Sequence, residues 1–287
     1  MGEANSMNMK LSSRERAVNG SFEVLLIVIA ALFFIPVYYL IVTTFKTPDE
    51  ATFSPLSLPR HFNVDNYVLA WKTMRFPRVF LNTLIVTGVS VIGIILLSSM
   101  AAYALARRAH ALNKFIFYLF LAGMMVPFQM GLVSLYKLIN SLGLMDNLLA
   151  VIVVNIGNGC VIAIFLFHSF ISTSVPLELE EAAFIDGCSV QATFWRIAFP
   201  LLTPVIATVA IVTTLNVWND FMNPLLFLQS RENNVILLEV FRNIGQFSVD
   251  WTSLFPMLLL GVAPLLVFYL LMQKYMIKGV AAGALKG

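Results

Sequence analysis

The stretch PLELEEAAFIDGCSVQATFWRIAFPLLTP, residues 176–204, is the most informative part of the sequence, because it is a polar loop between two long apolar runs. Ser174 can cap a helix whose first position suits Pro176, and the acids that follow Pro176 favour a helix start. Gly187 suits the left-handed residue that follows a helix. Ser189 can then cap a second helix that runs to Phe199. The sequence therefore predicts two short helices joined by a glycine turn. The loop carries one base, Arg196, and four acids: Glu178, Glu180, Glu181 and Asp186.

The first of these helices has a face that suits close contact with another backbone. Leu179, Ala182, Ala183 and Asp186 follow the i, i+3, i+4, i+7 spacing, and two of them are alanines. Glu181 projects nearby and can pair with a basic partner. An amphipathic helix resting on the membrane surface is the alternative, although such helices usually carry Lys and Arg toward anionic lipid, whereas this one is acidic.

The composition indicates that most of this chain is embedded in lipid. The 287 residues are 59% hydrophobic and 11% charged, whereas a soluble domain has roughly 25% charged residues. The net charge of +3 comes from short basic clusters between apolar runs, without the basic and aromatic patch of a nucleic-acid site. We therefore expect an integral membrane protein that does not bind nucleic acid.

The apolar runs predict an all-α protein with six transmembrane helices. A span needs about 20 mostly apolar residues. With six spans, ten of the 18 Lys and Arg residues lie on the same side of the membrane as the N-terminus. Since the long segment 46–79 translocates with little regard to charge, both termini are predicted to be cytoplasmic. The predicted organisation is an N-terminal segment 1–21, a six-span domain 22–274 containing the acidic loop (residues 172–200), and a tail 275–287. The six spans are Phe22–Phe45, Phe80–Ala106, Phe115–Tyr136, Leu148–Ile171, Leu201–Phe221 and Leu254–Met272.

The connections outside the spans differ in length. The segment 46–79 is expected to begin extended, because it is rich in proline, and to end in a short helix around Tyr67. Pro127 should kink the third span, because proline removes a backbone hydrogen bond.

The sequence lacks the motifs that would indicate nucleotide binding or catalysis. It has no phosphate-binding G-x-x-x-x-G-K-[ST] loop, no H-E-x-x-H and no G-x-S-x-G, and its three histidines are scattered. We therefore expect no catalytic residues, no metal site and no cofactor in this chain, which is interpreted as not being an enzyme.

Polar side chains within the spans are the candidates for a transport path, because they are costly in lipid and tend to face cavities. Amides both donate and accept hydrogen bonds, which suits sugar hydroxyls, and an indole can stack on a pyranose ring. The alternative is that they only hold helices together. The candidates are Asn155, Asn158, Asn216, Trp218, Asn219 and Asp220.

The acidic loop resembles the EAA loop of ABC importer permeases. That family's pattern is E-A-A-x3-G-x9-I-x-L-P, and the single departure here is Phe199 in place of leucine. The resemblance implies the type I ABC importer permease fold and a loop that docks on a separate ATPase subunit. The implied coupling residues are Glu181, Ala182, Ala183, Asp186, Gly187, Ile197 and Pro200.

Three further segments, 34–50, 218–228 and 275–287, resemble the MalG-type subunit of maltose and multiple-sugar transporters. The resemblance implies a homologous second permease, two ATPases that bind ATP and Mg, and an extracytoplasmic sugar-binding protein, in the cell membrane of a prokaryote. It adds Lys286 and Gly287 as ATPase contacts, and it implies a di- or oligosaccharide as the solute. A glycerol-phosphate importer, an ion-driven secondary transporter and a membrane scaffold remain as alternatives.

Overall fold

Helices form nearly all of the regular structure in the computed structural model of the chain, which describes residues 13–108, 110–244 and 250–284. No β-strand occurs in these ranges. The α-helices are α1 (Ser13–Thr43), α2 (Pro48–Phe53), α3 (Asp65–Thr73), α4 (Phe76–Arg107), α5 (Ala111–Gly123), α6 (Leu132–Ser141), α7 (Leu148–Ser174), α8 (Leu177–Ile185), α9 (Val190–Thr193), α10 (Phe199–Leu201), α11 (Thr203–Trp218), α12 (Met222–Phe227), α13 (Ile236–Arg242) and α14 (Trp251–Ala284).

Four helices are long and apolar enough to cross a membrane without a break. They are Asn19–Thr43 of α1, all of α4, all of α7, and Trp251–Gln273 of α14. At about 1.5 Å per residue, each exceeds the ~30 Å of hydrocarbon that a span must cross. They confirm the first, second, fourth and sixth predicted spans.

The third predicted span is broken rather than kinked. The segments Ala111–Gly123 and Phe128–Ser141 meet at an angle of 94°. Pro127 lies at this break in an extended conformation, and its ring has no N–H to continue the helix. The position of the bend was therefore predicted correctly, but its size was not.

The fifth predicted span, Leu201–Phe221, corresponds to α11, and a bend of 75° at its start separates Thr203–Trp218 from Val190–Leu201 of the acidic loop. Pro200 and Pro204 flank this bend, and each withholds one backbone donor from the helix. Leu202 lies between them and is fully buried. If each bent pair counts as one span, the described residues contain six, in agreement with the predicted all-α, multi-pass fold.

The chain divides into two compact units. The first contains the described residues of 1–69 and 249–256. In it, the start of the proline-rich segment expected to be extended forms α2 instead, because Thr47 and Glu50 make a capping box around Pro48. The rest of that segment, residues 54–64, contains no helix. Lys46 is fully buried and donates from Nζ to the Ser54 carbonyl at 2.6 Å. Burial lowers the pKa of Lys46, against the charge of Glu50, which raises it.

The second unit contains the described residues of 70–248 and 257–287, and its centre is the packing of α4 along α7. Two glycines let these helices approach closely. A Cβ on Gly93 would lie 2.6 Å from Ile156 Cδ1, and a Cβ on Gly159 would lie 2.4 Å from Ile94 Cδ1. Such reciprocal contacts of small residues with large ones are typical of membrane helix packing.

One end of this second unit is held by polar contacts between α13 and the connections that follow α6 and α12. Glu239 is fully buried and accepts from Arg231 Nε at 2.8 Å. Asp146 accepts from the backbone N–H groups of Ser230 and Gln229, both at 2.9 Å. The hydrogen bond from the Ser230 backbone, with those from its neighbours, lowers the pKa of Asp146 although partial burial acts in the opposite direction.

Candidate functional site

We call the two helical parts of the acidic loop its first and second limbs. The first limb is α8, and it ends in the predicted glycine turn. Gly187 has φ of +82°, and its N–H donates to the Phe184 carbonyl at 3.1 Å. The next N–H, of Cys188, donates to the Ala183 carbonyl at 2.9 Å. These two bonds form a Schellman motif, which satisfies carbonyls that the helix end would otherwise leave free. The expected cap at Ser174 was wrong, because α7 continues through this residue.

The second limb runs from α9 to α10. Ser189 Oγ accepts from the backbone N–H of Ala192 at 3.3 Å, which confirms the predicted cap. The middle of this limb, Phe194–Ala198, is a π-helix. The limb ends at Leu201, two residues beyond the predicted end. A π segment widens the helix and often occurs at functional positions.

Four of the nine predicted coupling residues form one exposed surface at the end of α8. Glu181, Ala182, Asp186 and Gly187 are exposed, and Ile185 between them is 86% exposed. By contrast, Ala183 is buried, Ile197 is half-buried and Pro200 is exposed on the second limb. Lys286 and Gly287 lie outside the described residues.

Sequence reasoning missed Glu180, which is the buried acid of the loop. It is 1% exposed, and it accepts from Tyr103 Oη at 2.7 Å and from Arg107 Nε at 2.9 Å. Because Glu180 and Glu181 are adjacent and identical, composition did not distinguish them. Spacing places Glu180 on the same helix face as Ala183, three residues later, but only the structure shows that this face is buried.

Three of the six transport-path candidates line one cleft of about 140 Å³ between α4, α7 and α11. Asn155, Asn158 and Asn216 supply its amides, and Thr213 lies beside them. Asn158 and Asn216 are exposed although each lies within a long apolar helix. The cleft is therefore open at the surface of this chain and carries neutral hydrogen-bonding groups.

A fourth candidate, Asp220, accepts a hydrogen bond from Asn155, which is the buried one of the three cleft amides. Asn155 Nδ2 donates to Asp220 Oδ2 at 3.1 Å, and Asn223 Nδ2 donates to the same oxygen at 2.8 Å. Asn155 and Asn223 are buried. The carboxylate thus fixes the orientation of the Asn155 amide, leaving its oxygen toward Asn223 at 3.4 Å.

The remaining two candidates do not line this cleft. Trp218 Nε1 donates to the Gly261 carbonyl at 3.2 Å, and Asn219 Nδ2 donates to the Leu215 carbonyl at 2.9 Å. Both residues line a second, mainly apolar pocket with Leu237. Within the described residues, no three His, Cys, Asp or Glu side chains are grouped as metal ligands would be.

Comparisons with known proteins agree with these features. Residues 94–282 match the family described as binding-protein-dependent transport system inner membrane component. The chain is 33% identical over 260 residues to the melibiose/raffinose/stachyose import permease protein of Bacillus subtilis, which covers 91% of this chain and 94% of that protein. It is 32% identical over 269 residues to a multiple sugar-binding transport system permease protein of Streptococcus mutans, covering 92% and 95%.

A solved structure shows the same fold. The match is to the crystal structure of a bacterial ABC transporter involved in the import of the acidic polysaccharide alginate. The TM-score is 0.81, and the match covers 92% of this chain and 98% of that chain at 19% sequence identity.

Proposed function

Because the chain belongs to the family of binding-protein-dependent transport system inner membrane components, we propose that it is the permease subunit of an ATP-driven importer for a di- or oligosaccharide. The match spans 94–282, and it includes the whole acidic loop and both helices that flank it. Two sugar importer permeases are similar to the chain over more than nine-tenths of its length. Their named solutes support a carbohydrate as the class of solute.

The observation that carries this proposal is the exposed surface of α8. Glu181, Ala182 and Asp186 point away from the rest of the chain, with Ile185 among them, and Gly187 turns the backbone at their end. Four apolar side chains of this short helix are exposed, and a group of exposed apolar side chains indicates contact with a protein partner. They are Leu177, Leu179, Phe184 and Ile185. The partner is a cytoplasmic ATPase, present in two copies, which binds the ATP and Mg that this chain does not.

The proposed assembly also contains a homologous second permease and an extracytoplasmic sugar-binding protein. Both termini and the acidic loop lie in the cytoplasm of a prokaryote, and the connection between the last two predicted spans faces the binding protein. Lys286 and Gly287 contact the ATPases together with the acidic loop. When ATP closes the ATPases, the loops move with them and the spans change from inward- to outward-facing. This coupling requires that the loop interact differently with the two states, because equal binding shifts no equilibrium.

The solute path is proposed to include the cleft of Asn155, Asn158 and Asn216. Its lining residues carry amides and a threonine hydroxyl but neither Lys nor Arg. Neutral donors and acceptors suit sugar hydroxyls, whereas a phosphate would favour bases. The cleft therefore favours a sugar over glycerol phosphate, which is the second candidate solute. An ion-driven secondary transporter is a weaker alternative, because family membership supports ATP-driven import.

The test is to purify the chain gently through an N-terminal tag and to identify the associated proteins by mass spectrometry. We expect a second permease and an ATPase at two copies. The complex, reconstituted with its binding protein, should couple ATP hydrolysis to uptake of a saccharide from a panel that includes melibiose, raffinose and glycerol 3-phosphate. Recovery of this chain alone, from a detergent that preserves such complexes, would contradict the proposal.

Variants of the cleft test the path within the same complex. Asn158→Leu and Asn216→Leu should lower uptake while basal ATP hydrolysis and subunit stoichiometry stay unchanged, because the amides face solute rather than the ATPase. Asn140→Leu is the matched control, since Asn140 is exposed on α6 and lies outside the cleft. Equal uptake by all three variants would remove the cleft from the path.

A further inference from the structure

The acidic loop is attached to α4 through a buried acid. Glu180 is 1% exposed, although its neighbours Leu179 and Glu181 are both exposed. Its Oε2 accepts from Tyr103 Oη at 2.7 Å, and its Oε1 pairs with Arg107 at 2.9 Å from Nε and 2.8 Å from Nη2. Two donor groups from the last turns of α4 therefore satisfy both oxygens of this carboxylate. Charge-assisted bonds of this kind are short and directional.

Arg107 also fixes the chain just before α8. Its Nη2 donates to the Val175 carbonyl at 2.8 Å, and Val175 is the residue that ends α7. Through Nε and Nη2, the guanidinium therefore connects the end of α4 with both the end of α7 and the side chain of Glu180. Its planar group can make these bonds at once, which a lysine ammonium cannot reproduce with the same geometry.

Tyr103 extends this attachment to the second limb of the loop. Its ring packs on Phe194 with a centroid distance of 5.1 Å, and both residues are buried. Phe194 begins the π segment, whereas Glu180 belongs to α8. One side chain of α4 thus contacts both limbs, through its hydroxyl on one side and its ring on the other.

The same helix leads directly to the polar cleft. Ile94 of α4 lines the cleft with Asn155 and Asn158 and packs at Gly159. It lies nine residues before Tyr103 in an uninterrupted helix, a distance of about 14 Å at ~1.5 Å per residue. A displacement of the end of α4 is therefore carried to the cleft without passing through a loop.

We propose that Glu180, Arg107 and Tyr103 form a joint that makes the acidic loop and α4 move as one body, so that α4 transmits the motion of the ATPase to the solute cleft. This inference rests on the proposed function, and it assigns three positioning residues outside the EAA pattern. Glu180 acts through α4 and does not itself contact the ATPase. In this proposal the exposed Glu181 contacts the ATPase, whereas the buried Glu180 attaches the acidic loop to α4.

The experiment measures saccharide taken up per ATP hydrolysed by the complete complex in proteoliposomes. The wild-type complex is measured first, because absence of ATP-driven uptake there would refute the proposed function and not the joint. Glu180→Gln and Arg107→Gln should then lower the ratio at least tenfold while the ATPase remains bound at wild-type stoichiometry. Arg108→Gln is the matched control, since Arg108 is the adjacent, exposed arginine and should leave the ratio unchanged.

Two more variants separate the joint from a simple role in folding. Tyr103→Phe keeps the ring on Phe194 and removes only the hydroxyl, so it should give a stable complex with an intermediate ratio. The double variant Arg107→Glu/Glu180→Arg should recover part of the ratio that each single charge reversal loses. A wild-type ratio in Glu180→Gln, or loss of the ATPase in every variant of the joint, would overturn the inference.

A spin-label distance measurement reports on the joint without relying on uptake. Labels at Ile185 on the loop and Leu97 on α4 are both at exposed positions. In the wild-type complex, the distance between the labels should stay the same with and without ATP. In Glu180→Gln, it should broaden or shift on ATP binding. A wild-type distance that changes with ATP would show that loop and helix move separately.

Discussion

Adding a Cβ at Gly187 tests whether uptake depends on the left-handed turn of the acidic loop. Gly187 has φ of +82°, and no atom lies within 4 Å of an added Cβ. The cost of substitution therefore comes from the backbone alone, at about 1–2 kcal/mol for an ordinary residue. About 1.4 kcal/mol changes an equilibrium constant tenfold, so Gly187→Ala should lower the equilibrium constant for forming the turn by roughly that factor. Asparagine tolerates this conformation better, and valine tolerates it least.

We expect uptake by the reconstituted complex to fall in the order glycine, asparagine, alanine, valine at position 187, with ATP hydrolysis retained. The chain offers a matched control in Gly143, which has φ of +68° and equally open surroundings but lies in another loop. The same series at Gly143 should lower thermal stability to a similar extent without uncoupling uptake from hydrolysis. Full uptake by Gly187→Val, or equal uncoupling by both series, would refute the reasoning.

Three other predictions concern separate parts of the chain. Glu181→Lys should abolish uptake by a complex that remains folded, because it reverses the charge of the surface proposed to meet the ATPase; normal uptake by a stable complex would contradict this. Gly159→Leu should destabilise the packing of α4 on α7 by about 1–3 kcal/mol, since an added Cβ would lie 2.4 Å from Ile94 Cδ1. Ile94→Ala should restore part of that loss in a thermal unfolding assay. Asp146 has a lowered pKa, so its stabilising hydrogen bonds with Ser230 are present at neutral pH and are lost as the pH falls through that lowered value. The protection factor of the Ser230 amide, which corrects for the intrinsic pH dependence of hydrogen exchange, should therefore fall at acid pH in the wild type, whereas Asp146→Asn should show a low protection factor already at neutral pH.

The local signals of the acidic loop were sufficient to predict its glycine turn and the cap of its second helix. Gly187 and Ser189 have the conformations and hydrogen bonds expected from their residue types. The same holds for the long spans, because continuous apolar runs of more than 20 residues have few other folds available. These features depend on residues close together in the sequence, which is why the sequence alone predicts them.

Features that depend on distant residues were missed. The burial of Glu180 requires Tyr103 and Arg107, which lie 77 and 73 residues earlier in the chain. Similarly, the cleft includes Asn155 and Asn216 but not Trp218, because successive residues of a helix point in different directions. The bend at Pro127 was located but its size was underestimated, since the angle depends on how the two segments pack.

Site-specific photocross-linking from the acidic loop tests the central claim most directly. A photoreactive amino acid at Ile185, which is 86% exposed, is compared with one at Met125, which is 85% exposed at the break in the third span. In native membranes, Ile185 should cross-link to a protein that carries a phosphate-binding ATPase loop, and the yield should change when ATP is bound. Met125 should give no such product. Absence of an ATPase cross-link from Ile185, or the same ATPase cross-link from both positions, would contradict the account.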